Sequence, residues 1–243
     1  MTLLEWHPPD APLRASVLRT SVFALLVVAG VAVMARPWLQ LGALYPIKAA
    51  AVFTAGMAIV FGYAGAHHPH VRFGPANCVT TFRVMIVALI VGLIGEPAVS
   101  RAAAAASIAT AVMTVLDGVD GWLARRSRMA SAFGARFDME TDAALVMAMS
   151  ILVWQHGKAG AWALFGGMMR YIFVIAGRWL PWMARPLKPT RRAKAIAIGH
   201  MVGLSVGLAP LVLVPLSTIA VGLTTAVLVW SFAVDTGRLW RKE

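Results

Sequence analysis

Cysteine and charged residues are scarce in this sequence. Cys78 is the single cysteine among 243 residues, which excludes a disulfide within the chain. Charged residues make up only 13% of the composition, about half the share of a typical soluble domain. Hydrophobic residues make up 60% and the mean hydropathy is +0.76, with no internal repeat or low-complexity tract. This composition excludes an ordinary soluble domain and predicts an integral membrane protein built from helices.

Acidic residues are scarcer than basic ones, with 10 against 22 and a formal net charge of +12. In a soluble protein such a charge would suggest binding to nucleic acid. In a chain this apolar, it is better explained by the enrichment of Lys and Arg on the cytoplasmic side of a membrane and by attraction to anionic headgroups. We therefore expect membrane lipids, and no nucleic acid, as partners.

Several apolar segments are long enough to cross a membrane as helices. They cover residues 16–35, 45–66, 76–95, 102–124, 137–155, 160–180, 195–214 and 216–234. The first is interpreted as an anchor rather than a cleaved signal peptide, because its apolar core is long. The fold prediction is therefore an all-α membrane protein with about eight transmembrane helices.

The basic residues predict the orientation in the membrane. Of the 22 Lys and Arg residues, sixteen lie on or near one side of the membrane and four on or near the other, while Arg83 and Arg170 are deeply embedded in it. The richer side is expected to be cytoplasmic, which places both termini in the cytoplasm and the protein in the inner (cytoplasmic) membrane. Because Arg83 lies within an apolar run, it is expected to face the bundle interior or a polar cavity.

Half of the acidic residues fall between positions 117 and 142. Asp117 and Asp120 are three residues apart, and Asp138 and Asp142 four apart, so each pair occupies one face of a helix. A short basic stretch between the pairs allows two antiparallel helices to bring all four carboxylates together. Clustered carboxylates repel one another unless cations neutralise them. We therefore predict a site for Mg²⁺ or Mn²⁺, with a pair of ions expected.

These carboxylates belong to a longer pattern. The pattern is Asp117-x2-Asp120-Gly121-x2-Ala124-Arg125-x8-Gly134-x3-Asp138-x3-Asp142. It resembles the signature of the CDP-alcohol phosphatidyltransferase family, with every fixed position matched. The resemblance implies transfer of a phosphatidyl group from a CDP-alcohol, such as CDP-diacylglycerol, to the hydroxyl of an acceptor alcohol, with release of CMP, in phospholipid biosynthesis. It also implies a homodimer, and a six-helix core in residues 67–243 preceded by an extra pair of transmembrane helices in residues 1–66.

The resemblance also implies roles for single residues. Asp142, one of the four predicted metal ligands, would also act as general base. The positions that match nucleotide contacts of the family are Asn77, Thr80, Gly121, Arg125 and Ser131. The predicted acceptor contacts are Arg170 and Arg178, spaced as in synthases with a phosphorylated acceptor, and Arg191 in the basic loop that follows. They favour an anionic acceptor such as glycerol 3-phosphate or an inositol phosphate.

Alternatives remain open at this point. An intramembrane Mg²⁺-dependent prenyltransferase also uses Asp pairs on a diphosphate, and an ion carrier could use the carboxylates as a pathway. Within the family, serine, choline or another uncharged or zwitterionic acceptor is possible. Asn77 and Thr80 could be packing groups, Ser131 a solvated loop residue and Arg178 an interfacial anchor. The histidines of residues 67–70 favour a solvated loop over a zinc site.

Overall fold

The computed structural model of the protein describes residues 8–127, 129–185 and 190–241. Every regular element in these ranges is a helix, so the all-α prediction is confirmed for the described part of the chain. The helices are α1 (Ala11–Leu39), α2 (Tyr45–His67), α3 (Pro75–Gly92), α4 (Ser100–Arg126), α5 (Ala132–Gln155), α6 (Leu164–Trp179), α7 (Arg191–Leu208) and α8 (Val214–Trp240). Short 3-10 turns at Ala161–Ala163 and Pro181–Ala184 flank α6.

Proline and glycine set several helix boundaries. The helices α1, α2, α3 and α8 each have a proline at the first or second position, where the missing N–H costs nothing. Gly74 precedes α3 with φ +83°, a conformation that a side chain disfavours. The residue after α1, Gln40, has φ 58° and ends the helix in the left-handed conformation. Local sequence therefore explains why the loops fall where they do.

Apolar side chains on the outside of the helices indicate a membrane environment. Leu26 of α1 and Phe23 beside it are 67% and 70% exposed, whereas Thr81 and Arg83 of α3 are buried. Such a distribution suits a lipid solvent, in which polar groups must be satisfied internally. By length and composition, α1, α2, α3 and α8 are candidate spans among the described helices. The prediction of eight spans stays a prediction, because α4 and α5 carry acidic clusters and α6 is only 16 residues long.

The described chain divides into two compact units. The first contains residues 1–97 and 112–145, and within it α1, α2 and α3 pack against one another. The second contains residues 98–111 and 146–243, and within it α8 packs against α6 and α7. The helices α4 and α5 are each divided between the units, with one end in the first unit and the other end in the second.

Small residues allow close helix packing in the second unit. A Cβ on Gly167 of α6 would lie 2.7 Å from the Cα of Met147, and one on Gly203 of α7 would lie 2.4 Å from Oγ1 of Thr224. Both contacts are too close for any larger residue without movement of a neighbour. This is the packing by small residues that membrane helices use in place of a hydrophobic driving force.

Glu96 connects the α3–α4 loop to the start of α2. Its carboxylate forms an ion pair with Lys48 and accepts a 2.6 Å hydrogen bond from the backbone N–H of Gly42. Burial acts to raise the pKa of Glu96, but the hydrogen bonds from Lys48 and Gly42 and the Lys48 charge outweigh it, so the pKa is lowered from 4.5.

We expect this contact to make stability depend on acidic pH. Because the pKa of Glu96 is lower in the folded state, its stabilisation is fully present above 4.5 and is lost as the pH falls through the folded value. At neutral pH, Glu96→Gln should lower the free energy of unfolding by roughly 1–2 kcal/mol. Unfolding of both proteins in detergent at a series of pH values measures the difference, which should shrink on acidification. Glu140→Gln is the control, because its pair with Arg136 is exposed and long at 3.9 Å; an equal, pH-independent loss in both variants would contradict the prediction.

Candidate functional site

Three aspartates of the predicted cluster lie close together in the first unit. Asp117 comes from α4, while Asp138 and Asp142 lie one helical turn apart on α5. One carboxylate oxygen from each lies within 4.8 Å of the other two, and all three residues are half-buried. The spacing argument therefore predicted the convergence of these three side chains correctly. Asp120 lies on α4 outside the side chains that the structure describes, and its place in the cluster stays a prediction.

Arg83 of α3 lies among these carboxylates. Its side chain is 1% exposed, and its two terminal nitrogens donate short hydrogen bonds to Asp138 and Asp142. One of them also lies 3.6 Å from a carboxylate oxygen of Asp117. Burying a guanidinium without partners would cost several kcal/mol. The carboxylates therefore stabilise the buried arginine, and the arginine in turn reduces the repulsion among the carboxylates.

The sequence indicated the burial of Arg83 but not its partners. These partners, Asp138 and Asp142, lie 55 and 59 residues further along the chain on α5. The periodicity of the sequence does not predict that α5 packs against α3. One signal was available: an arginine within an apolar helix needs a carboxylate, and few carboxylates in this chain are themselves within apolar helices.

The arrangement suits a hard divalent cation. Carboxylate oxygens are the ligands that Mg²⁺ and Mn²⁺ prefer, and three of them converge here. In their charged forms, three carboxylates and one guanidinium leave two negative charges, which one divalent ion would balance. Since Arg83 already contacts all three carboxylates, it shares with an ion the groups that would serve as ligands.

Asn77 is buried at the start of α3, where it contacts the preceding loop. Its Nδ2 donates to the carbonyl oxygen of Phe73 at 2.5 Å and lies 3.0 Å from Nε2 of His68. A Cβ on Gly134 would lie 3.0 Å from Oδ1 of Asn77, a tight contact that favours glycine at this position of the pattern. The amide of Asn77 therefore holds the loop and lies close to the backbone of α5 at Gly134.

His68 is a residue that the sequence analysis missed. It is 8% exposed, and its ring packs against those of Phe73 and Phe133, so the prediction of a solvated histidine loop is wrong here. Burial lowers the pKa of His68, against the opposing effect of the carbonyl oxygens of His70 and Phe73. The neutral imidazole that this favours can accept the hydrogen bond from Asn77.

Two other predicted nucleotide contacts have local structural roles. Ser131 precedes α5, and its Oγ accepts a 3.0 Å hydrogen bond from the N–H of Gly134, as in an N-cap. It is half-buried rather than a solvated loop residue. Thr80 is buried and donates to the carbonyl oxygen of Ala76 at 3.2 Å. Gly121 and Arg125 lie on α4 outside the side chains that the structure describes, so their roles stay predictions.

The predicted acceptor residues belong to the second unit. Arg170 and Arg178 lie on α6, where Arg170 is half-buried and Arg178 is exposed, and Arg191 is the first residue of α7 and exposed. Next to Arg191, the guanidinium of Arg192 forms a 2.6 Å contact with Asp235 and lies 5.2 Å from the ring centre of Trp230. Acceptor binding by these arginines stays a prediction.

Apolar helices long enough to span a membrane, together with a buried arginine and three carboxylates, define an integral membrane protein with a charged site. The chain belongs to the CDP-alcohol phosphatidyltransferase family, whose model matches residues 73–234. No curated protein and no solved structure matches the chain. The family resemblance in the sequence is thereby confirmed, and the matched range includes the entire carboxylate pattern.

Proposed function

We propose that this protein transfers a phosphatidyl group from a CDP-alcohol, such as CDP-diacylglycerol, to an acceptor hydroxyl and releases CMP. The observation that carries the proposal is the convergence of oxygens from Asp117, Asp138 and Asp142 within 4.8 Å, in a chain of this family. The intramembrane prenyltransferase is disfavoured because the family match covers both Asp pairs. An ion carrier would not need the Gly and Arg positions of the pattern.

The carboxylates have two roles in this proposal. Asp117, Asp120, Asp138 and Asp142 would hold a pair of Mg²⁺ or Mn²⁺ ions, whose charges match those of the four carboxylates, and Arg83 would add one further positive charge beside the pyrophosphate. When bound, such ions neutralise the pyrophosphate and acidify a nearby hydroxyl. The convergence of Asp117, Asp138 and Asp142 supports three of these ligands, while Asp120 rests on the signature alone.

The reaction itself is a displacement at phosphorus. The acceptor hydroxyl oxygen forms a bond to the phosphorus that carries the lipid alcohol, the bond from this phosphorus to the bridging oxygen breaks, and CMP leaves with the electron pair. Asp142 takes the proton of the acceptor hydroxyl. Because a carboxylate near cations is a weak base, its contribution comes mainly from position.

The donor nucleotide is assigned to the part of the first unit that carries the family pattern. Asn77, Thr80, Gly121, Arg125 and Ser131 are proposed as its contacts, from their positions in the family pattern. His68 and Phe73 support this assignment indirectly, since they fix the orientation of the Asn77 amide.

We propose an anionic acceptor, with a phosphate that contacts Arg170, Arg178 and Arg191. Arg170→Ala should then raise the KM for a phosphorylated acceptor roughly tenfold or more, because a charge-assisted hydrogen bond is lost. The KM for CDP-diacylglycerol is the internal control and should not change. An unchanged acceptor KM would exclude the phosphate contact and favour serine, choline or another acceptor without a phosphate.

The experiment that tests the function is a screen of radiolabelled acceptors. Purified protein is incubated with CDP-diacylglycerol, Mn²⁺ or Mg²⁺ and each acceptor in turn, and new lipid is separated by thin-layer chromatography. We expect a new labelled lipid with glycerol 3-phosphate or an inositol phosphate. A labelled prenyl product from a prenyl diphosphate, with no lipid from CDP-diacylglycerol, would instead support the alternative.

Location and assembly complete the proposal. The excess of Lys and Arg on one side supports an inner-membrane protein whose active site and termini face the cytoplasm. We also propose a homodimer, and a division into an N-terminal helix pair in residues 1–66 and a catalytic core in residues 67–243. The family match beginning at residue 73 supports this division.

A further inference from the structure

A pocket with two arginines in its lining lies between the first helix and the loop that joins α2 to α3. Its volume is about 560 Å³, and it is lined by Pro12, Ala15, Ser16, Arg19, Val71 and Arg72. All six residues belong to the first unit and precede the segment that the family model matches. The pocket shares no residue with the carboxylate site, so the proposed reaction gives it no role.

Two guanidinium groups give the pocket its charge. Arg19 and Arg72 are both exposed, and neither forms an ion pair with a carboxylate within the described ranges. The Nε of Arg19 donates a hydrogen bond to the carbonyl oxygen of Ala15, 3.3 Å away on the same helix. Two cations that line one pocket without an acidic partner favour an anionic ligand.

The pocket is held in place by its neighbours. Oγ of Ser16 accepts a 3.3 Å hydrogen bond from the N–H of Phe73, which attaches the loop to α1. Phe73 is fully buried and packs against Phe133 and Phe137 of α5. Since Arg72 directly precedes Phe73, its backbone is fixed next to α1, and less conformational freedom is lost when a ligand binds.

The position along α1 favours a ligand at the membrane surface. Arg19 lies near the beginning of α1, and the apolar part of this candidate span follows it. An arginine at this point of a transmembrane helix lies at the level of the lipid headgroups. Guanidinium groups bind phosphate oxygens through paired hydrogen bonds, which makes a phosphate the best match for two of them.

We propose that Arg19, Arg72 and Ser16 form a binding site for a phosphate group that is distinct from the carboxylate site. A membrane phospholipid of net negative charge and free phosphate share this chemistry. Arg19 and Ser16 belong to α1 of the extra helix pair, so the site gives this helix a function in addition to spanning the membrane.

The test titrates purified protein in detergent with short-chain phosphatidylglycerol, matched phosphatidylcholine and inorganic phosphate, and counts bound molecules by native mass spectrometry. We expect phosphatidylglycerol to bind more tightly than phosphatidylcholine. Arg19→Gln and Arg72→Gln should each weaken that binding roughly fivefold, because one interfacial cation contributes about 1 kcal/mol. Arg14→Gln is the matched control, since Arg14 is exposed on the same helix and does not line the pocket.

Each arm of the test has a defined consequence. Tight binding of inorganic phosphate that both pocket variants weaken would identify a soluble ligand for the same site. Binding of either probe that is the same in wild type, Arg19→Gln and Arg72→Gln would overturn the proposal, as would an equal loss in Arg14→Gln. As a second readout, phosphatidylglycerol should raise the melting temperature of the wild type and not that of the doubly substituted protein.

Discussion

Replacing Arg83 with methionine should strongly destabilise the protein when no divalent cation is present. Methionine retains much of the buried volume but leaves Asp117, Asp138 and Asp142 without the guanidinium that contacts all three. Breaking a buried charge cluster by removal of one partner costs about 3–5 kcal/mol. We therefore expect a large drop in melting temperature in EDTA, measured by thermal unfolding in detergent, and partial recovery with Mn²⁺.

Arg136→Met is the matched control for Arg83→Met. Arg136 pairs with Glu140 at 3.9 Å on the surface of α5, and both side chains are more than 40% exposed, so its removal should cost at most about 0.5 kcal/mol. Recovery with Mn²⁺ in Arg83→Met alone would show that Arg83 and the metal neutralise the same carboxylates. Equal melting temperatures of wild type and Arg83→Met in EDTA would refute the role given to Arg83.

Asp142→Asn should abolish CMP release while the protein still folds. The substitution removes the proposed base and one metal ligand, and loss of general base catalysis alone lowers a rate by roughly a hundredfold or more. Folding should persist because Asp138 and Asp117 still lie next to Arg83. CMP release measured at saturating Mn²⁺, with a melting curve on the same sample, tests both parts.

The control for Asp142→Asn is Glu140→Gln. Glu140 lies two residues away on α5, pairs with Arg136 and is not a member of the carboxylate cluster. Its variant should retain wild-type activity. Full activity in Asp142→Asn would remove the base assignment, and equal loss in both variants would show that the effect comes from α5 as a whole.

The carboxylate cluster was predictable because its determinants are local. Residues three or four apart share a helix face whatever the helix packs against, so the pairs could be recognised from spacing alone. The positions of Pro75 and Gly74 likewise mark the beginning of α3 without knowledge of the fold. The family signature linked the two pairs in one pattern of fixed spacing. The structure confirms the convergence of Asp117, Asp138 and Asp142.

Long-range contacts were not predictable in the same way. Arg83 was expected to be buried, but its pairing with Asp138 depends on how α3 meets α5, and one apolar face of a helix does not specify its partner. His68 appeared to belong to a solvated loop because histidine is polar, yet Phe73 and Phe133 bury it. The number of membrane spans is also hard to predict from hydropathy alone. The acidic residues that lower the hydropathy of α4 and α5 pair with the buried guanidinium of Arg83 in the folded protein.

The most direct test of the central claim is CMP release from CDP-diacylglycerol as a function of free divalent cation. Purified protein is treated with EDTA and then titrated with Mn²⁺ or Mg²⁺ in the presence of the acceptor panel. If the aspartates on α4 and α5 hold catalytic metal, CMP is absent in EDTA and appears as the cation is restored. CMP that forms at the same rate in EDTA would contradict a metal-dependent transferase at this site.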